Sequence, residues 1–396
     1  MGAGKTVAFI TIMFLAAAIS SASSFPGPTQ QEGASSPKEN ERLQALLAEG
    51  SSDLQRGDDA KAEKAFSEAL ILAPHSFEIM NNLAISVARQ GKLDEAIPLY
   101  KRALKVQPGA VTTKRNLAIA YFKQQNYAGA LPLLEALIKG GPQDFQLADL
   151  TGLTYFGLDR YAEASKYLER ASKLKPDDLS TLYMLGQAYL RAEDYQAVIS
   201  VFARIMAIDP NSAEAHVMMG TAYDKMFQQP KALEEYQAAE RANPDFPGVH
   251  SGLGLLYWKQ DEVDRAQEEF QEELKRFPSD PVSNCLLGQI AVKKNDLQEA
   301  RARFQAALQV NPQYKEALFG LGKTQIKLGH PDKGIATLRK AIELDPDYAE
   351  AHYQLGNGLA LLGKTEEASK EHALSTAIQA KQQEDYAKKL NQKVER

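Results

Sequence analysis

The chain has 396 residues, of which 46 are basic and 51 acidic, and its formal net charge is −5 with an isoelectric point of about 5.8. This mildly acidic balance argues against a general nucleic-acid-binding protein, which needs concentrated positive charge to neutralise phosphates. The single cysteine, Cys285, excludes an intramolecular disulfide, and no histidine–cysteine cluster has metal-ligand spacing.

The first 24 residues differ in composition from the rest of the chain. Lys5 is the only charged residue before Glu32, and residues 7–19 form an apolar run of 13 residues followed by small residues around Ala22. This layout predicts a secretory signal peptide over residues 1–24, because the run is shorter than the roughly 20 apolar residues of a membrane span. An uncleaved anchor over residues 7–22 is the alternative. Residues 25–42 are rich in Pro, Ser, Gln and Gly and are predicted to form a flexible linker.

Nine prolines recur every 34 residues through the remainder of the chain, with no insertion or deletion between them. A fixed period of this length indicates a small structural unit stacked many times rather than one closed globule. The prolines are Pro74, Pro108, Pro142, Pro176, Pro210, Pro244, Pro278, Pro312 and Pro346. Counted from Leu43, the ten repeats are 43–76, 77–110, 111–144, 145–178, 179–212, 213–246, 247–280, 281–314, 315–348 and 349–382. Residues 383–396 follow as a predicted C-terminal helix or tail.

Particular positions within the repeat take either small or large side chains. Position 8 is always Gly or Ala: Gly50, Ala84, Ala118, Gly152, Gly186, Gly220, Gly254, Gly288, Gly322 and Gly356. Position 20 is small in nearly every repeat, and position 24 is usually large and apolar, as in Phe66, Tyr100, Phe202, Tyr236, Phe270 and Phe304. Small residues let two helices approach closely, and large residues fill the space beside them. Apolar residues at three- and four-residue steps, with turn signals such as those at 90–94 and 328–332, predict a helical hairpin that ends at the proline.

The pattern formed by Leu185, Gly186, Tyr189, Phe202 and Pro210, and the repeats at 250–278 and 351–372, resembles the tetratricopeptide repeat. The resemblance covers residues 43–382. It implies an all-α fold, a right-handed α-solenoid of about ten helix-turn-helix repeats with a C-terminal capping helix.

Three repeats depart from the family pattern. Repeat 1 has Asp53 where an aromatic residue is usual, and repeat 7 has Glu273 where alanine is usual. Repeat 10 lacks the terminal proline. Departures in the first and last repeats are expected of capping units with a polar outer face, whereas the sequence offers no reason for Glu273.

The resemblance implies that the first helix of each repeat lines a concave groove for a protein or peptide segment, through positions 2, 5, 6, 9, 12 and 13. Apolar and methionine side chains at these positions suit an adaptable binding surface, although packing against the next repeat is an equal alternative for each residue. The predicted partner-binding residues are Asn82, Arg115, Asn116, Phe156, Tyr183, Met184, Arg191, Met218, Lys225, Trp258 and Lys259. Position 13 is basic in seven repeats: Arg89, Lys123, Arg191, Lys225, Lys259, Lys293 and Lys327. These cations either complement the helix dipole or face the groove and favour an acidic peptide.

Two specialised grooves of the family are not predicted. Asn82 and Asn116 match the asparagines of the clamp that grips C-terminal carboxylates, but Glu78, Gln146 and Leu150 stand where that clamp has basic residues. The asparagine series of the sugar-transferring members also stops after Asn116.

His216, His250 and His352 share position 4 of their repeats. They are predicted to pack in or near the core, because they lie on different hairpins and metal ligation needs convergent spacing. No Ser/His/Asp, Cys/His or paired-carboxylate arrangement stands out. The sequence therefore predicts no catalytic, cofactor or metal site.

These patterns together predict an exported, non-enzymatic scaffold or adaptor in a bacterial cell envelope, periplasmic or secreted, with membrane contact only through an uncleaved N-terminal anchor. The alternative is an accessory subunit of a secretion, polysaccharide or glycosyl-transfer apparatus whose catalytic chain is separate. A third hypothesis is a carbohydrate binder that uses Trp258.

Overall fold

The computed structural model describes residues 36–140 and 144–394, and every regular element in them is an α-helix. The predicted signal peptide, most of the predicted linker and Pro142 lie outside the described residues. The helices are α1 (Pro37–Arg56), α2 (Asp59–Leu72), α3 (Phe77–Arg89), α4 (Leu93–Val106), α5 (Val111–Lys123), α6 (Tyr127–Gly140), α7 (Phe145–Gly157), α8 (Tyr161–Leu174), α9 (Leu179–Arg191), α10 (Tyr195–Ile208), α11 (Ala213–Lys225), α12 (Gln229–Ala242), α13 (Val249–Lys259), α14 (Val263–Arg276), α15 (Pro281–Lys293), α16 (Leu297–Val310), α17 (Lys315–Lys327), α18 (Pro331–Leu344), α19 (Ala349–Leu361) and α20 (Thr365–Val394). Each predicted repeat supplies two helices, which confirms the helical-hairpin prediction.

The helices form two compact units that divide between Pro210 and Asn211. Helices α1 to α10 belong to the N-terminal unit and α11 to α20 to the C-terminal unit. Within each unit, every helix packs against the next helix along the chain, so each unit is an α-solenoid of five hairpins. The repeat pattern continues without interruption through this boundary, so no sequence feature predicts the division into two units.

The small residue at position 8 lies directly against the large residue at position 24 of the same repeat. A Cβ atom added to Gly186 would lie 2.5 Å from the ring of Phe202, and one added to Gly288 would lie 2.8 Å from the ring of Phe304. Both rings are completely buried. Close packing of this kind leaves no room for a methyl group, which confirms the predicted role of the small positions.

The turn inside each hairpin places position 15 in the left-handed region of backbone conformation. Four repeats have glycine there, and Gly57, for example, has a φ of 80°. The other six use residues with a side chain, with φ between 58° and 60°: Gln125, Asp159, Glu193, Phe227, Asp261 and Asn295. A bulky residue in this region is unusual, and the ring of Phe227 is 90% exposed.

The periodic prolines follow the second helices, as predicted. Helix α2 ends two residues before Pro74, and α18 ends two residues before Pro346. The residue that precedes a proline is biased toward extended conformations, and Asp345, in front of Pro346, is extended. These prolines therefore mark the ends of their hairpins.

The predicted linker over residues 25–42 extends too far, because α1 begins at Pro37. The Ser36 side chain accepts a hydrogen bond from the backbone N–H of Glu39, and the Glu39 side chain accepts one from the backbone N–H of Ser36. This capping box, with proline in the first turn, starts the helix early. At the other end, α20 continues past residue 382 to Val394, which confirms the predicted C-terminal helix over the described part of the tail. In the described part of the chain, no helix has the length and apolar character needed to cross a membrane.

The structure explains the unusual glutamate of repeat 7. Most first helices begin with a Ser or Asp whose side chain accepts a backbone N–H, but α13 begins after Gly248, which has no side chain to do so. Glu273, from the facing helix α14, accepts hydrogen bonds from the N–H groups of Gly248 at 2.9 Å and Ser251 at 3.2 Å. Glu273 thus supplies the N-terminal cap that α13 lacks.

Candidate protein-binding surface

First helices of neighbouring repeats contact one another within each unit. The contacting pairs are α1 with α3, α3 with α5 and α7 with α9, then α11 with α13, α15 with α17 and α17 with α19. No pair of second helices in the described chain makes contact to the same extent. In each unit the first helices therefore lie on the inner side of the stack. We call the side chains at positions 2, 5, 6, 9, 12 and 13 of these helices the first-helix face.

Amide side chains at positions 5 and 6 of repeat 2 are joined to repeat 3 through a hydroxyl at position 3. The Thr113 hydroxyl donates to Asn81 Oδ1 at 2.8 Å, and Asn81 Nδ2 donates to Asn82 Oδ1 at 3.4 Å. Asn82 and Asn116 are 5% and 2% exposed. Neither amide atom of Asn116 has a hydrogen-bond partner among the described residues. Because such burial restricts direct access by a partner, the structure favours the packing alternative for these two asparagines.

Arg115 is held by the cap of the following repeat. Its guanidinium lies 2.6 Å from Asp144 Oδ2, while Asp144 Oδ1 accepts the backbone N–H of Leu147 at 3.1 Å. Burial acts to raise the pKa of Asp144, but hydrogen bonds from Leu147 and Arg115 outweigh it and lower that pKa. Arg115 is half-buried, so part of its side chain stays accessible on the first-helix face.

The carboxylate of Asp149 on the first-helix face has no cationic hydrogen-bond partner among the described residues. Asp149, at position 5 of repeat 4, accepts a hydrogen bond from the Thr181 hydroxyl at 3.0 Å. Burial, reinforced by the charge of Asp178 and opposed by the Thr181 bond, raises the pKa of Asp149 to about 6. Its charge therefore changes close to neutral pH.

The apolar candidates differ in accessibility. Met184 is only 3% exposed and belongs to the core, which favours packing for that residue. Phe156, Tyr183, Met218 and Trp258 are half-buried and keep part of their surface open. The Phe156 ring packs edge-on against Tyr161, and the Tyr183 ring lies 6.1 Å from that of Phe202. These four residues are the accessible apolar part of the predicted site.

Several cations at position 13 connect one repeat to the previous one. Lys259 Nζ lies 2.6 Å from Oδ2 of Asp224, a carboxylate only 5% exposed at position 12 of the preceding repeat. Lys293 lies 2.6 Å from Asp261 and 5.2 Å from the centre of the Trp258 ring. Direct pairing with the preceding repeat favours a structural role for these lysines, in addition to compensation of the helix dipole.

The other position-13 cations differ in their surroundings. Arg89 donates to the backbone carbonyl of Leu54 at 3.1 Å, and burial lowers the pKa of Lys123. Arg191 and Lys225 are exposed, as is Lys259, whose ammonium group is paired with Asp224.

The position-4 histidines are buried or half-buried, as predicted, but their partners were missed. His216, His250 and His352 each place Nδ1 against a glutamate of the second helix, 19 residues later, at 2.7, 2.8 and 2.6 Å. The glutamates are Glu235, Glu269 and Glu371. All three stand at position 23, so the joint occurrence of His at position 4 and Glu at position 23 was the available signal. Among the described residues no group of three or more potential ligands could hold a metal ion.

Comparison with sequence families finds the same type of repeat along the chain. Models described as tetratricopeptide repeat match residues 47–111, 82–145, 155–220 and 291–341, and a model described as TPR repeat matches residues 228–261 and 332–363. Together these matches cover more than half of the chain. The chain belongs to the tetratricopeptide repeat family. Tetratricopeptide arrays are suited to protein–protein interaction and are generally not catalytic.

Solved structures that are similar to parts of this chain include the following three. YrrB, described as a TPR protein with an unusual peptide-binding site, is 23% identical, with 51% of this chain and all of YrrB covered and a TM-score of 0.43. MamA from Desulfovibrio magneticus RS-1 is 24% identical over 43% of this chain and 96% of its own, with a TM-score of 0.39. A tetratricopeptide repeat protein from Parabacteroides merdae is 19% identical over 63% of this chain and 99% of its own, with a TM-score of 0.42. No curated protein matches the sequence.

Proposed function

We propose that this tetratricopeptide repeat protein is an exported, non-enzymatic scaffold that holds segments of partner proteins on its first-helix face in the cell envelope. The observation that carries the proposal is that each unit has half-buried side chains on its first helices, Phe156 and Tyr183 in the N-terminal unit and Met218 and Trp258 in the C-terminal unit. These four side chains are not among the position-8 and position-24 residues that pack in the core, and each keeps part of its surface exposed. Half-exposed aromatic and methionine side chains are typical of protein-binding surfaces.

Exposed cations lie among these apolar residues. Arg191 follows Tyr183 on α9, and Lys225 follows Met218 on α11. An apolar segment that also carries acidic residues matches this combination, and its binding would weaken as salt is added. We therefore propose an acidic-apolar protein segment as the partner class.

Export is supported by the composition of residues 1–24. Intact-mass measurement of the protein purified from its native cells tests it. The proposal expects a chain that begins close to residue 25 and a location outside the cytoplasm. A chain that still begins at Met1 and stays in the cytoplasm would contradict export and leave the binding proposal in place.

Binding is tested by photo-crosslinking in intact cells. A photoreactive amino acid replaces Tyr183 or Trp258 on first helices, or the exposed Glu268 on second helix α14 as the matched control. The proposal expects each first-helix probe to form adducts with a partner protein and the Glu268 probe to form none with those partners. Equal adducts from all three positions would contradict a binding site on the first-helix face.

A further inference from the structure

Repeat 7 brings one imidazole together with two carboxylates in its interior. His250, on α13, is 5% exposed, and its Nδ1 lies 2.8 Å from Glu269 Oε2 on α14. One turn further along α14, Glu273 is 2% exposed and accepts the N–H groups of Gly248 and Ser251. His250 Nε2 is buried and has no hydrogen-bond partner among the described residues.

The surroundings of this cluster are predominantly acidic. In the described chain neither Glu269 nor Glu273 forms an ion pair with a lysine or arginine. Arg265, one turn before Glu269 on α14, binds Glu262 and the Tyr257 hydroxyl instead, at 2.6 Å each, and reaches Glu269 only through its longer-range charge.

The neighbouring helices add further negative charge. Glu240 on α12 acts on Glu269, and Asp280, the N-cap of α15, acts on Glu273. A buried and a half-buried carboxylate beside a single buried imidazole, with acidic neighbours on both sides, favour uptake of a proton by the carboxylates.

We propose that Glu269 and Glu273, packed beside His250, form a proton-uptake site that holds α13 more firmly to α14 as the surroundings become acidic. Trp258 and Lys259 also lie on α13. Acidification would therefore also affect the side chains that α13 contributes to the first-helix face. That link to binding rests on the proposed function, whereas the proton-uptake site itself does not.

The direction of the effect follows from the two carboxyl groups. Burial raises the pKa of Glu269 against the opposing hydrogen bond from His250, and burial raises the pKa of Glu273 against the bonds from Gly248 and Ser251. With raised pKa values the folded chain holds these protons more tightly than the unfolded chain does. Their contribution to the free energy of unfolding is therefore complete below the ordinary glutamate pKa of about 4.3 and is lost as pH rises through the raised values.

Repeats 6 and 10 serve as internal comparisons. They contain the equivalent pairs His216–Glu235 and His352–Glu371, but position 27 is alanine in repeat 6 and serine in repeat 10 rather than a second glutamate. Only repeat 7, among the described repeats, has both carboxylates beside the imidazole. The stabilisation on acidification should therefore be larger for α13 than for α11 or α19.

Amide hydrogen exchange of the full chain between pH 7.5 and pH 5, corrected for the intrinsic exchange rate, tests the inference. We expect the protection of α13 amides to increase on acidification by up to about tenfold per pH unit for each proton taken up. The amides of α19 should gain less. Constant or falling protection of α13 on acidification would overturn the inference.

Variants separate the cluster from general acid effects. Glu269→Gln removes one carboxylate and should reduce the gain in α13 protection at least threefold, whereas Glu268→Gln, the exposed neighbour, should leave it unchanged. If Glu269→Gln lowers helicity, Glu273→Gln provides the same comparison and retains an oxygen for the N–H groups. A full gain in the folded Gln variants would show that the protons bind elsewhere.

Discussion

Lys259 and Asp224 join the first helices of repeats 6 and 7, with Nζ 2.6 Å from Oδ2. Asp224 is 5% exposed at position 12, and Lys259 stands at position 13 of the next repeat. Arg89 reaches the carbonyl of Leu54, and Lys293 reaches Trp258, across the same pair of positions. Three of the seven position-13 cations thus contact position 12 of the preceding repeat, which favours a connecting role for these three.

Replacing Lys259 with methionine should destabilise the C-terminal unit, because the Asp224 carboxylate would remain buried without its cation. The expected loss is about 1–3 kcal/mol in the free energy of unfolding, measured by urea denaturation. Lys225→Met, an exposed position-13 lysine, is the matched control and should change stability by less than about 0.5 kcal/mol. Equal effects of the two changes would show that the ion pair does not matter for stability.

Met184 and Met218 stand at the same position of neighbouring repeats but differ in burial. Met184→Glu should lower the free energy of unfolding by more than about 3 kcal/mol, because it places a carboxylate in the core. Met218→Glu should cost much less, since Met218 is half-buried. Thermal melting of both variants decides the matter. Similar melting temperatures would mean that Met184 is more accessible than its 3% exposure indicates.

Gly320 has no space for a side chain. A Cβ atom there would lie 2.3 Å from the ring of Phe304, which belongs to the preceding repeat and is completely buried. Gly320→Ala should therefore destabilise by about 1–3 kcal/mol despite the better helix propensity of alanine. Gly109→Ala, where no atom lies within 4 Å of the added carbon, is the control and should be nearly neutral. A shift of the urea midpoint equal to that of the control would show that the two repeats can separate at no cost.

Asp149 should make the stability of the N-terminal unit depend on pH. Its pKa is raised to about 6, so its contribution is complete below about pH 4 and is lost as pH rises through 6. Asp149→Asn keeps an oxygen for the Thr181 hydroxyl and avoids the buried charge. We expect the variant to be more stable than the wild type at pH 7.5 by on the order of 2 kcal/mol, and about equal to it at pH 4.

The control for that experiment is the exposed Asp177→Asn. Urea denaturation at several pH values should give the Asp177→Asn protein the same pH dependence as the wild type. If the Asp149→Asn protein also keeps the wild-type dependence, Asp149 is ionised without cost and another group titrates.

The hairpin register could be derived from the sequence, because Gly186 and Phe202 occupy positions whose sizes are complementary in repeat after repeat. The accessibility of individual side chains could not be derived from the sequence. Met184 and Met218 share position 6, but one is in the core and the other is half-buried, since exposure depends on how neighbouring repeats pack. Glu273 departs from the repeat pattern because it caps the helix that begins after Gly248, a residue without a capping side chain. Such compensation joins residues 25 apart in the chain and has no local sequence signal.

The most direct test of the account is the affinity for the segment that crosslinking identifies at Trp258. Calorimetric titration should compare the wild type with Trp258→Ala and with Glu268→Gln, after melting curves have shown that all three proteins are folded. We predict at least tenfold weaker binding for Trp258→Ala, about 1.4 kcal/mol, and unchanged binding for Glu268→Gln. Unchanged affinity in a folded Trp258→Ala protein, together with loss of binding in Glu268→Gln, would contradict the claim that partners bind the first-helix face.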